Sequence, residues 1–124
     1  MSDPLIVIAD DDPLLRQILE HKLSNSGYRV IAVEDGQAAL DAAAQRPCVI
    51  VLDAMMPVMD GFETLRRLKS DPDLKTVPVV MLTALKREDD VVSALKLGAA
   101  DYLAKPFNPD ELVVRLQRFA TAVS

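Results

Sequence analysis

Five short apolar runs alternate with longer segments of helical period along this chain, and the alternation predicts five strand–helix units. Leu5 to Ala9 is a continuous apolar run of strand length. Asp12 and Pro13 follow as N-cap and first helical position, and Leu14, Leu15, Ile18, Leu19 and Leu23 mark one face of a helix that stops at Gly27. Tyr28 to Val33 is the second predicted strand. Asp35 caps a short Ala-rich helix running to about Arg46, and Pro47 ends it. The third strand is Cys48 to Leu52. Asp60 and Glu63, spaced as in a capping box, open a helix with Leu65 and Leu68 inward. Val79 to Leu82 is the fourth strand. A weaker helix covers about Glu88 to Leu97, with Val91, Ala94 and Leu95 inward and Gly98 as its stop. Asp101 to Ala104 is the fifth strand, short and partly polar. Asn108-Pro109-Asp110-Glu111 is a further capping pattern, and Leu112, Val113, Leu116 and Phe119 give the last helix its apolar stripe.

Strict alternation implies an α/β fold, a doubly wound parallel sheet, because each crossover is long enough for a helix and such crossovers are right-handed. The Val/Ile/Leu-rich runs agree, since parallel strands are buried on both faces. A chain of 124 residues suits one domain, 1–124, with a single core.

The polar residues that follow the runs carry the chemistry. Asp10 and Asp11 end the first, Asp53 the third and Thr83 the fourth, while Lys105 follows the fifth. In open parallel sheets ligands bind at the carboxyl ends of the strands. These residues therefore converge on an acidic pocket with one hydroxyl and one ammonium.

Composition narrows the class further. The chain is half hydrophobic, carries a formal charge of -5 and has no Trp. With a pI near 4.7 it is a poor match for phosphate backbones, so no direct nucleic-acid contact is expected. No apolar stretch approaches the roughly 20 residues of a membrane span, and MSDPLIVIADDD lacks the basic flank of a signal peptide. The expectation is a soluble cytoplasmic domain with no membrane insertion. The single Cys48, at the start of an apolar run, reads as a small buried hydrophobe.

Carboxylates held close together repel unless a cation neutralises them, and oxygen-only ligands select a hard ion such as Mg2+, or Mn2+ in its place. Cys48 and His21 lie outside the pocket, so zinc has no support. An aspartate can also attack phosphorus to give an aspartyl phosphate, whose charge is then spread over a metal, a cationic side chain and a hydrogen-bond donor. Asp10 and Asp11 suit the metal, Lys105 the phosphoryl oxygen and Thr83 the donated hydrogen bond.

The blocks IVIADDDPLLRQIL, VIVLDAMMPVMDGFETLRRLK, VPVVMLTA and GAADYLAKPF, in this order, resemble the response regulator receiver domains of two-component signalling. The resemblance implies a flavodoxin-like fold with strand order 2-1-3-4-5. It also implies that Asp53 is the phosphoacceptor and that Asp10 and Asp11 are the acidic pair. Thr83 becomes the switch hydroxyl, Lys105 the essential lysine, Met55 the residue whose backbone carbonyl ligates the metal, and Tyr102 the aromatic switch residue. The implied donor is a histidine kinase or a histidine phosphotransfer protein, and Lys105-Pro106 is expected to be cis. Phosphorylation would alter the surface of the fourth helix, fifth strand and last helix to control a partner or a linked effector domain. On this reading the chain is no conventional enzyme, although it assists its own phosphorylation and dephosphorylation.

Several residues are weighed apart. Met55, Met56 and Met59 around Pro57 read as a flexible packed loop, and His21 as a solvent-side helix residue. Lys86 and Arg87 read as ordinary solvated charges or, by the resemblance, as the start of the surface that partners read in this family. Gly36, Gly61 and Gly98 read as backbone devices at turns and helix ends. Glu111 and Arg115 match the charge network of winged-helix regulator dimers, but Ala100 replaces an expected acid and Asp110 an expected base. A monomer or a weak phosphorylation-dependent dimer is therefore expected. Two rival functions remain: a Mg2+-dependent phosphatase, weakened because Met55 stands where such enzymes place a second Asp, and a phosphorylation-independent interaction module, weakened because every pocket member is present.

Overall fold

The computed structural model describes residues 3–84, 92 and 95–121. In chain order these form β1 (Leu5–Ala9), α1 (Pro13–Asn25), β2 (Arg29–Val33), α2 (Gly36–Ala43), β3 (Val49–Asp53), α3 (Gly61–Ser70), β4 (Val79–Thr83), β5 (Asp101–Ala104) and α4 (Pro109–Thr121). The strands make one parallel sheet in the order β2-β1-β3-β4-β5, as expected for a flavodoxin-like doubly wound fold. The third and fourth strands each run one residue further than the sequence suggests, and those residues are Asp53 and Thr83.

Side chains alternate across the sheet with period two, and both faces are covered. Val7, Ile50, Leu52, Val79 and Met81 point towards α2 and α3, where Ala39, Ala42, Ala43, Leu65 and Leu68 meet them. Ile6, Ile8, Val49, Val51, Val80 and Leu82 point the other way, into Leu19 and Leu23 of α1 and Leu112 and Leu116 of α4. Cys48 is buried on that second face, and burial pushes its thiol pKa up, in keeping with a small hydrophobe.

The caps form as the sequence suggests. Asp12 accepts from the Leu14 and Leu15 N–H groups, Asp35 from Ala38 and Asp60 from Glu63. Asn108 accepts from the Asp110 N–H. The capping box at α3 is only half made, because the Glu63 carboxylate turns outward to Arg66 and Arg67.

Two inward assignments fail. Leu14 is 64% exposed, since it lies in the first turn of α1 at the rim of an open cleft beside Pro106 and Phe107. Leu95 is 51% exposed, and Leu97 with Ala99 packs on the core instead. Val92, Leu95 and Lys96 have helical backbone, but most of the helix expected over 88–97 lies outside the described residues, as do Val91, Ala94, Lys86 and Arg87.

Two glycines serve close packing rather than a turn. A Cβ on Gly61 would collide with the Asp53 carbonyl oxygen and with Ala54 Cα, so α3 starts directly against the end of β3. One on Gly36 would strike Thr64 Oγ1 and the Met59 carbonyl, which fixes α2 against α3. Gly98, at φ 104°, is the turn device expected.

Candidate functional site

The sheet register delivers the polar residues to one edge. Asp10 follows β1 and its N–H donates to the Val33 carbonyl at the end of β2. Asp53 pairs in register with Leu82, and Thr83 with Ala104. The Lys105 N–H donates to the Thr83 carbonyl at 2.7 Å, so lysine and threonine share a backbone tie. Asp10, Asp53 and Thr83 are almost wholly buried, at 0%, 5% and 4% exposure.

The carboxylates of Asp10, Asp11 and Asp53 converge, with one oxygen from each lying within 4.8 Å of the others. Asp11 is the exposed member, at the mouth. Lys105 Nζ lies between the two buried ones, 3.0 Å from Asp10 Oδ2 and 3.0 Å from Asp53 Oδ2. The remaining oxygens are held from behind: Asp10 Oδ1 accepts from the Asp12 N–H at 2.9 Å, and Asp53 Oδ1 from the Met55 N–H at 3.3 Å.

These contacts set the protonation behaviour. Burial pushes the Asp53 carboxyl above the ordinary carboxylate range; the Lys105 hydrogen bond opposes this and the Asp10 charge reinforces it. Burial pulls the Lys105 ammonium down, but its hydrogen bonds to Asp10 and Asp53 prevail and hold it above the usual lysine value. Among the described residues, one ammonium against three clustered carboxylates leaves the edge short of positive charge. An all-oxygen set with one member open to solvent fits a hard divalent cation that keeps part of its water.

Other expected residues are placed as follows. Met55 is exposed, and its N–H reaches Asp53. Tyr102 is half-buried against the cluster that includes Met81 and Ala99. Lys105-Pro106 is cis. His21 is on the solvent side of α1, 3.1 Å from Asn25 Nδ2. Glu111 and Arg115 pair within the chain, Arg115 also holding Asp101, while Asp110 pairs with Lys22 of α1. The Met-rich loop bends at Val58, φ 69°, where the Met59 N–H donates back to the Pro57 carbonyl in a tight γ-turn.

Sequence reasoning singled out Gly61 as a backbone device at a helix end but not the close approach to Asp53 that it permits, and it missed one further partner of the site. Arg16, one turn into α1, donates from Nη1 to the Asp10 carbonyl at 2.7 Å, and nothing in the periodicity distinguishes it from a solvated helix charge.

Comparison with known proteins agrees with this geometry. The family model for the response regulator receiver domain matches residues 6–117. A probable transcriptional regulator ycf27 of Porphyridium aerugineum is 42% identical over 118 residues, covering 94% of this chain and 48% of that protein. The chain thus spans about half the length of the curated relatives it matches. The Francisella response regulator 1452 receiver domain superposes with a TM-score of 0.89 at 32% identity, covering 98% of this chain and all of the other. The receiver domain of the Pseudomonas aeruginosa sensor histidine kinase PA1611, which carries a magnesium ion in its active-site cleft, gives 0.85 at 36% identity over 97% and 99% of the two chains. Fold, strand-end residues and these matches together make the chain a member of the response regulator receiver domain family of two-component signal transduction.

Proposed function

We propose that this chain accepts a phosphoryl group on Asp53 from a histidine kinase or histidine phosphotransfer protein in a Mg2+-dependent reaction. The observation that carries the reading is the bridging ammonium: Lys105 Nζ lies 3.0 Å from both Asp10 and Asp53 at the mouth of a three-carboxylate cluster. Asp10, Asp11, Asp53 and the Met55 carbonyl would hold the cation, which supplies charge neutralisation for the incoming phosphoryl oxygens. Mn2+ would serve in its place.

An Asp53 carboxylate oxygen attacks phosphorus, the bond from phosphorus to the donor's imidazole nitrogen breaks, and the nitrogen keeps the electron pair. Lys105 turns to a phosphoryl oxygen and Thr83 donates a hydrogen bond to another. The backbone of Lys105 is tied to that of Thr83, which keeps the two residues side by side at the site. Tyr102 follows as the switch, and the surface of β5, α4 and the segment before β5 changes with it. The phosphoryl group brings roughly 1.5 to 2 negative charges, enough to bias such a two-state element. Downstream the signal passes to an effector protein or a linked effector domain.

Intact mass after incubation with acetyl phosphate tests this. With Mg2+ a single added phosphate is expected; with EDTA, or in Asp53→Asn, none. Labelling that persists in either control contradicts the assignment.

A further inference from the structure

Four groups fix the polar atoms of Asp10. Its N–H donates to the Val33 carbonyl, Oδ1 accepts from the Asp12 N–H, Oδ2 accepts from Lys105, and its carbonyl accepts from Arg16 Nη1. Three of these partners are backbone groups or members of the pocket. Arg16 alone reaches in from a helix, spanning back six residues across the β1–α1 turn at 2.7 Å.

Asp12, next to Asp11, turns away to cap α1. The peptide that joins Asp10 to Asp11 is the one whose carbonyl Arg16 holds. Its orientation decides whether the Asp11 carboxylate points to the same place as those of Asp10 and Asp53. Arg16 itself lies in a cleft of about 260 Å³ with Val33, Glu34 and Asp35.

We infer that Arg16 is a positioning residue of the cation site: its guanidinium fixes the Asp10–Asp11 peptide so that both carboxylates serve one divalent ion. This rests on the proposed Mg2+-dependent phosphoacceptor role. A positively charged group that acted through its field alone would have the opposite effect, since removing it would leave the carboxylates more attractive to a cation. Loss of the anchored peptide outweighs that gain, because the part-exposed guanidinium is screened while the hydrogen bond is direct.

The test is Mn2+ and Mg2+ binding to the full chain by calorimetry, with acetyl phosphate labelling followed across cation concentration. Wild type, Arg16→Ala, Arg16→Lys and, as reference, Asp11→Ala are compared. Arg16→Ala should weaken cation binding by about tenfold. It should raise the cation concentration that half-saturates labelling by the same factor and leave the saturated rate within about twofold. Arg16→Lys, which keeps a donor, should recover most of the affinity. Unchanged or tighter binding in Arg16→Ala, even with a lowered melting temperature, overturns the inference and leaves Arg16 a structural group. If wild type itself neither binds the cation nor takes phosphate, the proposed function fails instead.

Discussion

Asp10 and Asp53 stand at the ends of β1 and β3, strands buried at every position, whereas Lys105 follows β5, an edge strand with three of its four positions part-exposed. The acidic half is fixed by core packing and backbone hydrogen bonds. The cationic half is held mainly by the Lys105 ammonium on two carboxylates and by one backbone bond to Thr83. On the proposed function, the difference separates two tasks. A site that must bind one ion and one phosphoryl group benefits from carboxylates that do not move, while a site that must signal needs an element with low local stability beside them.

The largest effect that would sharpen this contrast is on the acidic side. Asp11→Ala removes a ligand and a charge without disturbing the core, since Asp11 is exposed. We expect cation affinity to fall at least about tenfold with thermal stability nearly unchanged, measured by calorimetry and melting. Equal affinity would mean that the open carboxylate is not a ligand.

On the cationic side Lys105→Ala leaves Asp10 and Asp53 facing each other without a counter-charge. Stability at neutral pH should fall by about 2 kcal/mol in denaturant melts, and Mg2+ should restore part of it. Thr83→Ala should be milder: Asp53 still accepts phosphate, but the amide-shift response to beryllofluoride across residues 95–108 shrinks. A wild-type response in both variants would return Tyr102 to plain packing.

The acidic half also predicts a pH dependence. The Asp53 carboxyl is raised in the folded state, so its contribution to stability is present below the unfolded carboxylate pKa and is lost as pH rises through the folded one. Lys105 is raised too, and its contribution persists through neutral pH and is lost only above the ordinary lysine range. Stabilisation by Mg2+ should therefore be greater at pH 8 than at pH 5, and labelling should slow in acid as Asp53 takes up its proton. Melting scans with and without Mg2+ at the two pH values check the sign.

Much of this was legible in the sequence, and unevenly. The buried strands stood out because residues covered on both faces are apolar without interruption, and the site stood out because four of the five runs end in or are followed by a polar side chain of matching chemistry. The edges were less clear. Leu14 and Leu95 have helical periodicity yet lie exposed, because a hydrophobic position at a helix rim carries the same letter as one in the core. Arg16 and the bridging role of Lys105 depend on contacts across 6 and 95 residues of sequence, which no local pattern encodes.

The smallest effect lies in the loop beside Asp53. Val58 is a β-branched residue at φ 69° and 82% exposed, so its backbone is strained with no packing in return. Val58→Gly should stabilise the fold by up to about 1 kcal/mol in denaturant melts, with labelling of Asp53 retained. A loss of stability would show that the turn is not strained.

The identity of the nucleophile is the claim on which both halves depend. An acyl phosphate, unlike a free carboxylate, is reduced by borohydride to an alcohol, so treating the labelled chain and sequencing its peptides by mass spectrometry marks the reacted side chain. The account predicts homoserine at position 53 alone, formed only when Mg2+ and the phosphodonor were both present. Homoserine at position 10 or 11, or none in a chain that carries phosphate, would contradict it.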